Sequence, residues 1–139
     1  DYIISRVEEL KNKLKNKLKQ IPHIEFRDFE DEKGSVEHVM ILKLKNPSIA
    51  KYYDNYLSSE GLSSSILPEA VEWHFASSWG HLLNKYKRYK NNDLNKIFAE
   101  TNYKLKSSLG IFISLKLDDQ SIDNIFNIFN QAYKNYKKD

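Results

Sequence analysis

The chain has 139 residues, 40% hydrophobic and 29% charged, with 22 basic against 19 acidic side chains and a net charge of +3. That length suits one compact domain, 1–139, able to bury a core without staples. With no cysteine there is no thiol nucleophile, zinc ribbon or disulfide framework, and no run approaches the roughly 20 apolar residues of a bilayer span, which leaves a cytoplasmic address as the default.

The chain opens on Asp1, followed by an amphipathic segment rather than an apolar leader, so it is expected to be a piece of something longer. Ile3, Val7, Leu10, Leu14 and Leu18 recur at helical spacing and predict a helix over 3–18. Lys11, Lys13, Lys15, Lys17 and Lys19 form a dense basic run on it. At about 100° per residue they spread around the circumference, and Lys11 and Lys17 flank the apolar stripe. A solvated helix whose lysine stems shield the stripe is therefore favoured over a nucleic-acid interface. Ile21-Pro22-His23-Ile24 ends the helix, and 25–29 reads as extended.

After the acidic turn 30–34, residues 37–45 alternate as a strand with apolar groups on both faces, hence a central one. Asn46 caps the next helix and Pro47 opens it; the helix buries Ile49, Tyr52, Tyr53, Tyr56 and Leu57 and stops at Gly61. A strand is expected over 70–75, a helix over 82–89, a short helix or turn over 93–100, and a strand over 110–117. Asp118 or Asp119 caps the last helix, which shows Ile122, Ile125, Phe126, Phe129, Tyr133 and Tyr136 on one face. The expected fold class is α+β: a small, mostly antiparallel sheet with helices packed on one face.

Self-sufficient catalytic machinery is missing from this pattern. The four glycines are scattered and build no phosphate loop, and no serine sits in a nucleophile elbow. Asp31/Glu32 and Asp118/Asp119 fall at a turn and a helix start, where capping and solvation explain them. The densest patch is Glu72-Trp73-His74-Phe75-Ala76-Ser77-Ser78-Trp79-Gly80-His81. No third ligand stands at metal-binding spacing, so no metal is expected. Core and rim packing accounts for such a patch, and so does a pocket for a polar ligand such as a sugar. Tryptophan faces stack on sugar rings while histidine and serine aim hydrogen bonds.

The order Ile21-Pro22-His23-Ile24, Glu60-Gly61-Leu62, Trp73-His74-Phe75, Ile111-Phe112-Ile113-Ser114 and Gln120-Ser121-Ile122-Asp123-Asn124-Ile125 resembles the C-terminal small domain of the DegT/DnrJ/EryC1/StrS family, pyridoxal-phosphate-dependent sugar aminotransferases and relatives. The likeness runs over essentially all of 1–139, with His23 in place of the usual glycine. It implies an aminotransferase-type small domain and, for the parent enzyme, a transferase that moves an amino group from an amino acid to a keto-sugar, nucleotide-linked or acidic. It also implies that the large domain holds pyridoxal phosphate and the catalytic lysine. On that reading no catalytic residue lies in this chain, which alone is expected inactive, its cofactor-binding residues are unknown, and Lys104 and Lys106 belong to a solvated loop. By the same analogy the small domain lends His74, and after it Trp79, Ser77, Ser78 and His81, to the substrate. The partners implied are keto-sugar and amino-acid donor, with no nucleic acid and no membrane; the parent is a homodimer and the isolated domain a monomer. The alternative is a stand-alone, non-enzymatic sugar-binding or assembly module.

Overall fold

Two alternating apolar segments form the centre of a four-stranded antiparallel sheet in the structure, a computed structural model that describes residues 2–31, 34–36, 38–70 and 75–136. The elements in order are helix α1 (Tyr2–Leu18), strands β1 (Glu25–Phe26) and β2 (Val39–Lys43), helix α2 (Pro47–Ser59), strand β3 (Ser64–Ser65) and helix α3 (Leu67–Ala70). They continue with helices α4 (Gly80–Leu83), α5 (Leu94–Ile97) and α6 (Ala99–Lys106), strand β4 (Ser108–Phe112) and helix α7 (Asp119–Tyr136). The spatial order is β1-β2-β4-β3, with every neighbouring pair antiparallel. The α+β architecture expected from the periodicity is the one observed, and β2 is indeed central.

Register decides which face is core. Met40 pairs with Ile111 and Leu42 with Leu109, and all four are buried. Against them pack Val7, Leu10, Leu14 and Leu18 of α1, Ile49, Ala50, Tyr53 and Leu57 of α2, and Ile122, Ile125, Phe129 and Ala132 of α7. The stripe on α1 begins one turn later than expected, since Ile3 is 60% exposed, whereas Lys11 is buried rather than merely flanking. Tyr53 is fully buried, and its hydroxyl has no hydrogen-bond partner among the described residues. Burial pushes its phenol above the ordinary tyrosine range, with the neighbouring Tyr52, Tyr133 and Tyr136 adding to the effect. A buried hydroxyl without a partner is a net cost. Tyr53→Phe is therefore expected to raise unfolding stability by up to about 1 kcal/mol in urea titration, and a clear loss would show that the hydroxyl is bonded.

The caps follow the sequence. Asn46 accepts from the Ile49 amide at 2.9 Å with Pro47 behind it, and α2 ends at Gly61, whose φ of 76° suits glycine. Asp118 accepts from both the Ser121 hydroxyl and amide, 2.6 and 2.7 Å, at the start of α7. Those bonds hold its carboxyl below the usual range, the hydroxyl bond foremost. Helices α1 and α7 are also linked at their surface by Lys13–Asp119 at 2.8 Å and Lys17–Asp123 at 2.6 Å. The basic run on α1 is thus spent partly in the core and partly on α7. His23, where the family phrase has glycine, sits in the turn after α1 with its ring edge-on to Tyr133 (4.9 Å) and Tyr136 (5.8 Å).

Two expectations need correction, and a third falls largely outside the described residues. The strand placed at 110–117 runs over Ser108–Phe112 instead. Ile113 still donates to the His38 carbonyl, but then Ser114 closes a turn, its hydroxyl accepting from the Lys116 amide and its carbonyl from the Leu117 amide. Local serine bonds of this kind compete with a ladder. The strand placed at 70–75 begins on the last residue of α3, a turn that Pro68 favours, and residues 71–74 lie outside the described residues. Among the described residues the sheet takes its edge beyond β4 from Ser64–Ser65. The helix expected over 82–89 spans only Gly80–Leu83 and passes into turns that reach Asn91, whose φ is 61°.

Candidate functional site

The aromatic–histidine patch enters a stretch of short helices between β3 and β4. Its first residues, Glu72, Trp73 and His74, lie outside the described residues, so the foremost candidate, His74, has no described position. The remainder is described. Phe75 leads into a single 3-10 turn, Ala76–Ser78, and Trp79 then precedes α4. Ser77 is half-buried, Ser78 and His81 are exposed, and Trp79 is 36% exposed. Ser78, Trp79 and His81 thus stand at the surface on consecutive turns, where solvent or a ligand reaches them.

Ser77 differs from its neighbours. Its hydroxyl donates to the Asn102 side-chain oxygen at 3.0 Å, and the Asn102 amide reaches the Asn95 side-chain oxygen at 3.5 Å. Asn102 is 8% exposed, one of few buried polar residues among those described. This short network ties the 3-10 turn to α5 and α6, so the Ser77 hydroxyl holds the turn in place. Gly80 lies close by, since a Cβ there would stand 3.8 Å from Leu94, the buried anchor of α5. Asp93 fixes the start of α5 by accepting from the Asn95 amide at 3.0 Å. Asn95 and Asn102 stand on separate helices, α5 and α6, so no single helical period marks the network in the sequence. It was missed because α6 was not expected.

Lys104 and Lys106 belong to α6, not to a solvated loop, although both are exposed as expected of solvated groups. Lys104 pairs with Glu100 one turn earlier at 2.6 Å. A lysine that forms a Schiff base must give up its proton near neutrality, which requires burial or a neighbouring cation. Lys13 and Lys51 have the opposite surroundings. Asp119, then Glu9, raise the ammonium of Lys13, and Glu69 raises that of Lys51. These two lysines therefore do not fit the aldimine role, and no step through pyridoxal phosphate is derived from them. Among the described residues no group of three histidine or acidic side chains is placed to hold a metal. No described helix is long and apolar enough to cross a membrane.

No family model matches the sequence, and no curated protein matches it either. Solved structures do match its fold. A protein from Streptococcus pneumoniae described as a sugar aminotransferase superposes with a TM-score of 0.61 at 17% identity, covering 95% of this chain and 31% of its own. It matches equally in its PMP, PLP and apo forms. The aminotransferase TlmJ from Streptoalloteichus hindustanus superposes with a TM-score of 0.64 at 10% identity, covering 96% of this chain and 32% of its own. At such identities the likeness is one of fold. The chain spans about a third of the length of these structures, so it has the fold of one part of an aminotransferase.

Proposed function

We propose that this chain is the C-terminal small domain of a pyridoxal-phosphate-dependent sugar aminotransferase of the DegT/DnrJ/EryC1/StrS kind, a cytoplasmic transferase that moves an amino group from an amino acid to a keto-sugar, nucleotide-linked or acidic. The observation that carries the reading is the match over 95–96% of the chain to one third of two aminotransferases, one of them described as acting on sugars. The order of sequence phrases along 1–139 supports it independently. Fold alone does not give function, so the site must be argued from its groups. In this reading the catalytic lysine is supplied by the remainder of the enzyme. That remainder holds the cofactor, which serves as electron sink when bound.

The small domain's own contribution is on the sugar side. His74 and the exposed Trp79, Ser78 and His81 offer an aromatic face and directional hydrogen bonds, the groups that recognise a sugar ring. Ser77 holds their turn in place. The isolated chain is a monomer in this reading, and the parent a homodimer. Neither nucleic acid nor a membrane is a partner.

Two measurements test this. The isolated chain, given pyridoxal phosphate, an amino donor and a keto-sugar, is expected to show no turnover; turnover would mean that its catalytic parts lie within 1–139. In the enzyme expressed from the complete reading frame, His74→Ala is expected to weaken sugar binding or turnover by about tenfold to a hundredfold, the loss of one strong hydrogen bond, with the fold intact. Unchanged kinetics would assign His74 to packing.

A further inference from the structure

The sheet has a second face, and it is hollowed. On β2 the residues that alternate with the core set are Val39, Ile41 and Lys43, all partly exposed. Opposite them in register stand Phe112, Gly110 and Ser108 of β4, and Gly110 also faces Ser65 of β3. The floor at the middle of the sheet is therefore made of glycine and serine, beside branched apolar residues. Leu67 of α3 and Leu105 of α6 form the opposite wall. The result is a hollow of about 410 Å³. Gly110 keeps it open: a Cβ there would come 3.2 Å from Val39 Cγ1 and 3.4 Å from Ser65 Oγ. None of Ser77, Ser78, Trp79 or His81 lines it.

Two cations border this apolar space. Lys43 is answered by Asp28, with Nζ 2.6 Å from the carboxylate. Arg27 lies 4.9 Å over the Phe29 ring and has no acidic partner among the described residues. Stacking on an aromatic ring holds the guanidinium's plane and leaves its N–H edge available to an oxyanion. One uncompensated positive charge beside branched aliphatic walls is complementary to one class of ligand. It must present a flat or branched apolar body, small enough for this volume, and a single acid group.

We propose that this hollow binds a small amphipathic monoanion, an aryl or branched-chain carboxylate or its sulfonate analogue, with the apolar body between Ile41, Val39, Leu67 and Leu105 and the acid group on Arg27. The inference does not depend on the aminotransferase reading, because it concerns the sheet face alone and its test needs no turnover.

The probes are anilinonaphthalenesulfonate and its uncharged counterpart phenylnaphthylamine, titrated by fluorescence against the 139-residue chain. Saturable, equimolar binding of both is expected, tighter for the sulfonate. Arg27→Gln should weaken the sulfonate about tenfold or more, as expected for a lost charge-assisted hydrogen bond, and leave the neutral dye unchanged. Ser65→Leu, on the edge strand, should fill the hollow and abolish both while circular dichroism and thermal melting stay as in the parent chain. Equal sulfonate affinity in Arg27→Gln would overturn the assignment of the anion. Undiminished binding of both dyes in Ser65→Leu would place them on exposed apolar surface elsewhere and overturn the site. Absence of saturable binding by either dye would mean that the face receives another stretch of protein rather than a small ligand, and would also overturn it.

Discussion

Phe129→Ala lowers unfolding stability by about 3–5 kcal/mol, the usual cost of truncating an aromatic side chain in a packed interior. Phe129 is completely buried in the middle of α7. Its ring lies 5.9 Å from that of Tyr53 on α2, so one side chain joins the two helices beneath the sheet. Truncation leaves a cavity between elements that are far apart in sequence and cannot close without moving the sheet. Against a typical total of about 5–15 kcal/mol, a loss of that size leaves the chain marginal at ambient temperature. Urea unfolding followed by circular dichroism reads it directly, as a lower midpoint at an unchanged slope. Phe126 is the internal control, because it is only partly buried and is covered by the Lys17 ammonium 5.9 Å away. Phe126→Ala should cost clearly less, and equal losses would show that burial on α7 is not what the register implies.

The same face of α7 was legible in the sequence, and the reason is length. Eighteen residues give a 3.6-residue period several repeats, and Asp118 marks where the repeats begin. The long helices α1 and α2 and the central strand β2 were readable on the same ground. What escaped between β3 and β4 was the extent of the short helices, although α5 falls within the short helix or turn expected over 93–100. There α3, α4 and α5 are one turn long and α6 only eight residues, too short for a period to emerge, and the start of α5 is fixed by a single side-chain bond, Asp93 to the Asn95 amide. Strand β4 was placed two residues late because Ile113, Leu115 and Leu117 continue its alternation. Yet Leu115 is 42% exposed after the Ser114 turn. Alternation records what could face a core, and a serine bonded to its own backbone ended the ladder first.

That contrast bears on the site. Its described candidate residues, Ser77, Ser78, Trp79 and His81, sit in the least periodic stretch, on turns and short helices rather than on long elements, where the sequence shows which groups are present but not what holds them. The hollow on the sheet was hidden for a different reason. It depends on Gly110 lying between Ile41 and Ser65 across two strands, a juxtaposition that only register creates. Phosphate loops and metal motifs are local and can be read along the chain; a floor of small residues assembled from three strands cannot.

The turn that carries the candidate sugar-binding groups is expected to loosen when Asn102 is replaced. Asn102→Ala removes the acceptor of the Ser77 hydroxyl and the donor to Asn95 while leaving the Asn102 amide bonded to the Phe98 carbonyl, so α6 itself persists. The half-buried Ser77 hydroxyl then loses its acceptor, at a cost of about 1–3 kcal/mol, while the exposed Asn95 turns to water. Few apolar contacts back up this stretch, since Leu94 alone is buried on α5 and no residue of α4 is. The penalty should therefore appear as local opening rather than global unfolding. Amide hydrogen exchange would read it as protection factors over 76–83 and 94–97 lowered about fivefold to a hundredfold, the exchange equivalent of that cost, with β2, β4 and α7 unchanged. Uniform acceleration across the sheet would make Asn102 a part of the global core. No change at all would mean that the turn is held by something other than Ser77 and Asn95. In the complete enzyme the two roles separate further. A residue that positions the turn should shift sugar affinity when replaced and recover it in Asn102→Gln, which keeps both hydrogen-bonding ends on a longer stem. A residue needed only for stability would leave sugar affinity alone in the folded fraction.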